Sequence, residues 1–367
     1  MSFFSYYFIG DKVKILVILM MLLPIYTKAF TTSATSAIVM DIDTNKVIYA
    51  NNVNNKRAVA SISKIMTAII ALESGKENDT VTVTDVVNEA YGSGIYIKPG
   101  EEIRLIDLVY GLMLRSGNDA AKMIASYVAE NEDEFVKLMN QKAKEIGMKN
   151  TTFNNASGLD DNGGNISTAY DMALLTSYAM KNQLYATITG TKKYTLKTNM
   201  NTYMWLNKNK LLKQYKYTTG GKTGFTDIAR RTLVTTAEKD NLHLVVVTLN
   251  DGNDFLDHKN LYEEAFDKYK SYEIVKKGPF EIYNENYYNE SYYINETFNY
   301  PLTNNEKENI IIKVELLQKN AYQDNDIIGN LVIKLKDKTL KEMPVFIKLQ
   351  KQKSFFQKLK EWINNLW

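Results

Sequence analysis

The chain has 367 residues, of which 45% are hydrophobic and 24% charged, a composition typical of a globular protein with room for a large and a small domain. Its 45 Lys and Arg residues against 42 Asp and Glu residues leave a net charge of only +3, which argues against a nucleic-acid partner. The sequence contains no cysteine, which excludes disulfides, thiolate metal sites and cysteine nucleophiles.

The two histidines are too few for most histidine chemistry. His243 lies in the predicted strand LHLVVVTL, and His258 lies in the polar stretch NDFLDHKN, where we expect a loop. A serine-histidine-acid triad or a histidine metal site would have to be built from these two residues. The sequence therefore predicts neither a metal nor another cofactor.

The N-terminal segment, residues 1–29, has the pattern of a secretory signal peptide. Lys12 and Lys14 precede an apolar run from Ile15 to Leu23, which is shorter than the roughly 20 residues needed to span a bilayer. We expect cleavage near Ala29. An uncleaved N-terminal anchor is the alternative, because the charged region before the run is long. Both interpretations place the mature chain outside the cytoplasm.

The next elements predict a hairpin followed by helices. SAIVMDIDTNKVIYANN alternates around Asp43-Thr44-Asn45, as a β-hairpin does. A helix that begins at Ser61 and ends at Gly75 follows. Apolar residues then recur at helical spacing from Ile106 to about Asn182.

Three strands follow the helical region, in GGKTGFTD, RRTLVTTAEK and LHLVVVTLN, with a hairpin turn at Asp240-Asn241. A helix from Asp257 to about Tyr269 comes next. Because strands occur at both ends of this region, residues 30–275, we expect one antiparallel sheet shared by the two ends. The predicted fold class is α/β, with flanking helices and an inserted helical region.

The C-terminal residues predict a small all-β domain over 276–350 and a terminal amphipathic helix over 353–367. The domain contains short alternating strands, IIIKVELL, GNLVIKLK and MPVFIKL. In KSFFQKLKEWINNLW, the Phe, Leu, Ile and Trp side chains fall within about 140° of a helical wheel. Such a helix could pack on the protein's own core. Its two tryptophans and neighbouring lysines favour a position in the membrane interface.

Ser61 and Lys64 lie three residues apart, so on a helix their side chains share one face and can touch. Serine needs an adjacent base to become a nucleophile, and the lack of usable histidines leaves Lys64 for that role. Burial or a second cation would have to lower the pKa of Lys64. Alternatively, Ser61 is only a helix N-cap and Lys64 a solvated lysine. Ser63 is turned away from the lysine on a helix.

Two further motifs favour the catalytic interpretation. RSGNDAA places Ser116 and Asn118 two residues apart, where both can face one cleft. GGKTGFTD places Lys222 and Thr223 at the start of a strand, beside glycines that let a substrate backbone approach, Gly224 among them. Each motif alone is weak, but the three in this order form a specific signal.

With these motifs, the sequence resembles the serine-type D-alanyl-D-alanine carboxypeptidases, which are low-molecular-mass penicillin-binding proteins of Gram-positive and spore-forming bacteria. Longer stretches also resemble the family, including GSGIYIKPGEEIRLIDLVYGLMLRSGNDAA and FNNASGLDDNGGNISTAYDMALLTSYAM. The resemblance implies a fold like that of serine β-lactamases and penicillin-binding proteins. It also implies peptidoglycan stem peptides ending in D-Ala-D-Ala as substrates and β-lactams as covalent inhibitors. The enzyme would act at the outer face of the cytoplasmic membrane.

The same resemblance implies roles for individual residues. Ser61 would be the acylated nucleophile, Lys64 its general base and Ser116 the proton relay to the leaving D-alanine. Asn118 would bind the substrate's amide, and Lys222 and Thr223 would polarise Ser116 and bind the terminal carboxylate. Gly224 would let the substrate backbone approach the edge of the strand. The backbone N–H groups of Ser61 and Phe225 would form the oxyanion hole.

Some positions depart from the commonest family pattern. Val59 replaces a frequent proline, Ser63 replaces threonine, and NASGL replaces Asn-Pro-His-Gly-Leu. None of these changes removes a reacting group. Arg230 and Arg231 are available near the third motif, but their spacing assigns them no role.

Two other functions were weighed. A class A β-lactamase would need a glutamate with asparagine four residues later between the second and third motifs. None of the four glutamates there, Glu130, Glu132, Glu134 and Glu145, has one. A non-catalytic cell-wall-binding module is the other alternative, but it would not need Ser61, Lys64 and Lys222, which are all present.

Overall fold

The computed structural model describes residues 30–282, 287–288 and 290–349. The predicted signal peptide and the predicted C-terminal helix lie outside these residues. Within the described ranges, the search for a helix long and apolar enough to cross a membrane finds none.

The N-terminal part contains strands at both ends and helices between them. Its strands are β1 (Ser36–Asp41), β2 (Val47–Asn51), β3 (Arg57–Ala58), β4 (Thr80–Thr82), β5 (Glu102–Arg104), β6 (Ile166–Ser167), β7 (Lys193–Lys197), β8 (Thr202–Leu206), β9 (Thr218–Thr226), β10 (Arg230–Lys239) and β11 (Leu242–Leu249). Its helices are α1 (Lys64–Glu73), α2 (Leu105–Arg115), α3 (Asn118–Ala129), α4 (Glu132–Ile146), α5 (Ala169–Met180), α6 (Gln183–Gly190), α7 (Leu211–Gln214) and α8 (Asp254–Lys268).

One five-stranded sheet organises this part, in the order β2-β1-β11-β10-β9. The pairs are antiparallel, so the strands from the two ends of the region share one sheet, as predicted. The predicted hairpin turns are confirmed: Asp240 and Asn241 have φ angles of 51° and 59°, and Asn45 has 56°. Positive φ at both central residues is what a tight two-residue hairpin turn requires.

The helices cover the sheet on both sides. On one side, every residue of α1 from Lys64 to Leu72 is buried, so this helix forms the centre of the main core. On the other side, α8 packs Leu261, Tyr262 and Ala265 against the sheet. Among the elements between α5 and β9, α6 and the β7–β8 hairpin were not predicted.

The interpretation of His258 as a loop residue is wrong. His258 lies inside α8, where it is buried and hydrogen-bonded to Thr235 at 2.7 Å and Thr248 at 3.0 Å. The polar residues that suggested a loop, Asp254 and Asp257, are the acidic first turn of this helix. Burial lowers the pKa of His258 to about 3, so it stays neutral. His243 lies in β11 as predicted, beside Asp43 at 2.8 Å.

The C-terminal part is β-rich, as predicted. It contains β12 (Lys270–Val275), β13 (Gly278–Phe280), β14 (Ser291–Ile294), β15 (Phe298–Leu302), the short helix α9 (Asn304–Lys307), β16 (Ile310–Leu316), β17 (Ile327–Leu335) and β18 (Lys338–Lys348). Five of these strands form an antiparallel sheet in the order β13-β14-β18-β17-β16. The α/β fold class with a β-type C-terminal part is therefore confirmed.

A half-buried lysine joins the two parts. Lys46, in the β1–β2 turn, binds Glu306 at 2.8 Å and the Pro301 carbonyl at 2.9 Å. Its ammonium also lies about 5 Å from the rings of Tyr269 and Tyr300. The strand β12 pairs with β15, so the connection is a two-stranded sheet and not a loose linker.

Candidate active site

Ser61 lies on a strained turn at the head of the central helix. Residues Ala60–Ser63 form a 3-10 turn, and α1 begins at Lys64. Ala60 has a φ of 53°, in the left-handed region that costs a non-glycine residue about 1–2 kcal/mol. Ser63 Oγ donates to the Ala60 carbonyl at 2.8 Å. The N-cap positions of this turn and of α1 are Val59 and Ser63, which removes the support for Ser61 as a simple N-cap.

Lys64 is completely buried and points at the serine. Its Nζ lies 3.2 Å from Ser61 Oγ and 2.7 Å from Asn118 Oδ1, and it also binds the Ser157 carbonyl. Burial, and then the charge of Lys208, lower the pKa of Lys64 to about 7. A large fraction of Lys64 is therefore neutral at physiological pH and able to accept a proton.

The second motif connects two helices above Lys64. Ser116 follows α2 with a φ of 65°, another left-handed non-glycine residue, and Asn118 opens α3. Both are buried. Asn118 uses its oxygen on Lys64 and donates its Nδ2 to the Tyr91 carbonyl at 2.6 Å. The predicted amide-binding residue thus also holds the lysine.

The third motif brings a second lysine into the same site. Lys222 lies on β9, buried, with its Nζ 3.0 Å from Ser116 Oγ and 2.7 Å from the Thr223 carbonyl. Burial, and then the charges of Lys64 and Lys208, hold the pKa of Lys222 well below the ordinary lysine value. Lys208 is therefore a second cation that lowers the pKa of both lysines of the site, Lys64 and Lys222.

Gly224 allows β9 to pass directly over the serine turn. A Cβ placed on Gly224 would overlap Thr232 Oγ1 and lie 3.1 Å from the backbone nitrogens of Ser61 and Ile62. Thr232 in turn donates to the Val59 carbonyl at 2.9 Å and fixes the turn to the sheet. The glycine therefore sets the spacing between the strand edge and the nucleophile.

We predict that Gly224→Ala will lower the rate of penicillin acylation at least tenfold, because the new methyl group must push β9 away from the Ser61 nitrogen. Stopped-flow labelling with a fluorescent penicillin measures this rate. Gly252→Ala is the control, since a Cβ there meets no atom within 4 Å. Equal rates for both variants would contradict the prediction.

An open cleft of about 340 Å³ lies between β9 and the second motif. It is lined by Ser61, Ser93, Ser116, Lys208, Lys210, Thr223, Gly224, Phe225, Arg231, Asp254 and Phe255. Its lining includes cations held by neighbouring side chains: Lys208 donates to Ser93 at 3.1 Å, and Arg231 makes two bonds to Asp254. Phe225 is 57% exposed at the rim. Such a cleft suits a peptide that ends in a carboxylate.

Lys208 is the functional candidate that sequence reasoning missed. Its backbone N–H donates to the Leu114 carbonyl at 3.1 Å, and the buried Asn209 beside it binds the Gly220 carbonyl at 3.0 Å. These bonds hold Lys208 over the cleft. The asparagines in NKNK, on either side of Lys208, were a signal for a fixed turn. Nothing in the sequence showed that this turn meets Lys64.

We predict that Lys208→Met will move the pH at which acylation reaches half its maximum upward from about 7. Without the nearby positive charge, the protonated form of Lys64 becomes more favourable and its pKa rises. The pH profile of penicillin acylation measures the shift. Lys213→Met, at an exposed lysine of the neighbouring helix α7, should leave the profile unchanged. A shift of the profile to lower pH would contradict the assignment.

Arg231 lines the cleft and is paired with Asp254, whereas Arg230 lies outside the lining. None of the four glutamates weighed for a β-lactamase lines the cleft; Glu132 instead accepts from the Ala156 N–H at 3.0 Å. Within the described ranges, no group of three or more His, Cys, Asp or Glu side chains could hold a metal ion.

The fold is similar to that of solved penicillin-binding proteins and D-alanyl-D-alanine carboxypeptidases. Penicillin-binding protein 5 from Haemophilus influenzae superposes with a TM-score of 0.73, covering 88% of this chain and 99% of that one at 23% identity, which establishes the fold. The D-alanyl-D-alanine carboxypeptidase DacD from Francisella tularensis has a TM-score of 0.66 and 26% identity, over 88% of this chain and 95% of that one.

Sequence comparison gives the family. Residues 25–253 match the family described as D-alanyl-D-alanine carboxypeptidase. The carboxypeptidase DacF of Bacillus subtilis is 33% identical over 348 residues, which cover 90% of this chain and 89% of DacF. The chain therefore belongs to the D-alanyl-D-alanine carboxypeptidase family, a class of hydrolases.

Proposed function

We propose that this enzyme removes the terminal D-alanine from peptidoglycan stem pentapeptides through an acyl-enzyme on Ser61. The observation that supports this best is the buried Lys64, whose Nζ lies 3.2 Å from Ser61 Oγ and whose pKa is lowered to about 7. A serine hydroxyl on a strained turn, in contact with a neutral lysine that can take its proton, is an activated nucleophile.

Acylation begins when Lys64 takes the Ser61 proton and Oγ attacks the carbonyl carbon of the penultimate D-alanine. The backbone N–H groups of Ser61 and Phe225 stabilise the oxyanion of the tetrahedral intermediate. The carbon–nitrogen bond then breaks, and the leaving D-alanine takes a proton through Ser116. Lys222, 3.0 Å from Ser116 Oγ, polarises this hydroxyl, and Lys64 returns to its neutral form.

Deacylation reverses the roles with water as the nucleophile. Lys64 takes a proton from water, the hydroxide attacks the ester carbonyl, and Ser61 leaves as the alcohol after recovering that proton. The shortened peptide is released as a carboxylic acid. Because none of the glutamates weighed for a β-lactamase lines the cleft, we expect slow hydrolysis of bound penicillin.

Substrate binding uses the two sides of the cleft. Thr223 and the lysines of the cleft lining bind the terminal carboxylate, with Arg231 nearby. The edge of β9 beside Gly224 pairs with the peptide backbone, as an added strand does. The second amide hydrogen of Asn118 binds the substrate amide while its oxygen keeps Lys64 in place.

Release of D-alanine from a pentapeptide ending in D-Ala-D-Ala tests the proposal. We expect multiple turnovers of D-alanine, together with a long-lived covalent adduct with fluorescent penicillin. Rapid steady-state penicillin hydrolysis without D-alanine release would instead favour a β-lactamase. If the protein neither releases D-alanine nor hydrolyses penicillin, and is not labelled by penicillin, a non-catalytic wall-binding module would be the remaining interpretation.

The proposal also includes the division of the chain into domains and the two terminal segments that lie outside the described residues. Residues 1–29 act as a signal peptide, residues 30–275 form the catalytic domain and 276–350 form the β domain. Residues 353–367 form an amphipathic helix in the membrane interface, which keeps the enzyme at the outer face of the cytoplasmic membrane. Mass spectrometry of the mature N-terminus and membrane fractionation of the full chain test these assignments.

A further inference from the structure

The sheet of the C-terminal part has an apolar row on its outer face. Residues directly opposite each other on neighbouring strands point to the same face. The register aligns four such residues across β13, β14, β18 and β17: Pro279, Tyr293, Phe346 and Ile327. Their chain neighbours Tyr292 and Ile347 are buried on the inner face. We call these four residues the outer row.

The outer row is partly exposed and partly aromatic, since Pro279 and Ile327 are exposed whereas Tyr293 and Phe346 are half-buried. Ile327 is 47% exposed, and Tyr293 and Phe346 stack with their ring centroids 5.3 Å apart. The Tyr293 hydroxyl donates to Asn325 at 2.6 Å, so the ring has an apolar body and a polar tip. Aromatic side chains of this kind are enriched where proteins meet the membrane–water interface.

The chain leaves the sheet at the same end as the outer row. β18 ends at Lys348, and the Leu349 N–H donates to Asp324 at 2.9 Å. The next residue, Asn325, binds both the Ile347 carbonyl and Tyr293. The exit point is therefore fixed beside the row.

The linker that follows is short. The proposed membrane helix begins at residue 353, four residues beyond Leu349, and four residues reach at most roughly 14 Å. A helix lying in the membrane interface therefore keeps the outer row close to the same interface. Lys348, Lys351 and Lys353 at this junction favour a surface of anionic lipid.

We propose that the outer row is a second membrane contact, which lies on anionic lipid beside the terminal helix. This inference rests on the proposed anchoring by residues 353–367. Two contacts separated by a short linker restrict rotation of the β domain. Lys46 and β12 connect the catalytic part to that domain. The two membrane contacts therefore also fix the orientation of the catalytic cleft above the membrane.

Binding of the full mature chain to vesicles of phosphatidylcholine and phosphatidylglycerol in equal parts tests the proposal. We expect Ile327→Ser to lower the vesicle partition coefficient about fivefold, since a half-exposed isoleucine no longer enters the interface. Ile311→Ser is the matched control. Ile311 is 54% exposed on the same face of the sheet. It pairs with Lys334, seven residues from Ile327 along β17, so its substitution should leave the vesicle partition coefficient unchanged.

Each other outcome overturns the proposal in a distinct way. Stronger vesicle binding by Ile327→Ser would show that the row holds the terminal helix in the free protein. Loss of a dimer in sedimentation, without a change in vesicle binding, would assign the row to a second copy. Unchanged binding by Ile327→Ser alongside weakened binding by Trp362→Ala would confine membrane contact to the helix. If the wild type does not bind vesicles at all, the proposed membrane anchoring by residues 353–367 is contradicted as well. Penicillin labelling and D-alanine release, expected to be normal in every variant, report folding and the proposed function separately.

Discussion

Ser61→Ala is expected to abolish both fluorescent-penicillin labelling and D-alanine release. The alanine side chain has no oxygen to form the ester, and Lys64 has no other hydroxyl partner among its hydrogen bonds, which go to Asn118 and the Ser157 carbonyl. The rate of D-alanine release should fall about a millionfold, the loss typical of removing a catalytic nucleophile. Gel fluorescence after incubation with the penicillin, and an enzymatic assay for free D-alanine, measure the two losses.

Ser63→Ala is the matched control for this variant. Ser63 is the neighbouring buried serine, but its Oγ binds the Ala60 carbonyl at 2.8 Å and not the lysine. Its loss removes one buried hydrogen bond, about 1 kcal/mol, and lowers the melting temperature by a few degrees. Labelling should persist. Labelling of Ser61→Ala at the wild-type level, or loss of labelling only in Ser63→Ala, would show that the nucleophile is wrongly assigned.

Lys64→Met should lower the acylation rate about 10²- to 10⁴-fold, the contribution usual for a general base. Methionine matches the lysine stem in shape and leaves Ser61 in place, so the variant tests the base alone. The wild-type rate should rise with pH through about 7, because the neutral form of Lys64 accumulates above its lowered pKa. Stopped-flow acylation between pH 5 and 9 measures both effects.

The variant should lack this rise through neutral pH, even where its residual rate is measurable. Lys76→Met, at an exposed lysine just beyond the same helix, should keep the wild-type rate and profile. A Lys64→Met profile that still rises through pH 7 would assign the titrating base to another group. Lys222 would be the first candidate, since it is the other buried lysine of the site.

Much of the fold could be predicted from local patterns. The alternation around Asp43-Thr44-Asn45 and the turn at Asp240-Asn241 needed only short-range chemistry, and both hairpins are present. The β7–β8 hairpin gave no such signal. Its stacking of Tyr194 on Tyr110, with ring centroids 3.7 Å apart, joins residues far apart in the chain. The helix predicted from Asp257 begins three residues earlier, at Asp254, because its acidic first turn resembles a polar loop.

By itself, the sequence determined which chemistry was available. The absence of cysteine and the two unsuitable histidines left a serine–lysine pair, and the order of three motifs pointed to the family that the comparisons establish. Only the tertiary structure decided that Lys64 is fully buried, that Asn118 holds it from 54 positions away and that Lys208 lowers its pKa. The physical reason is that a pKa depends on desolvation and on charges close in space. Those are set by how distant segments pack, and not by the spacing of residues along the chain.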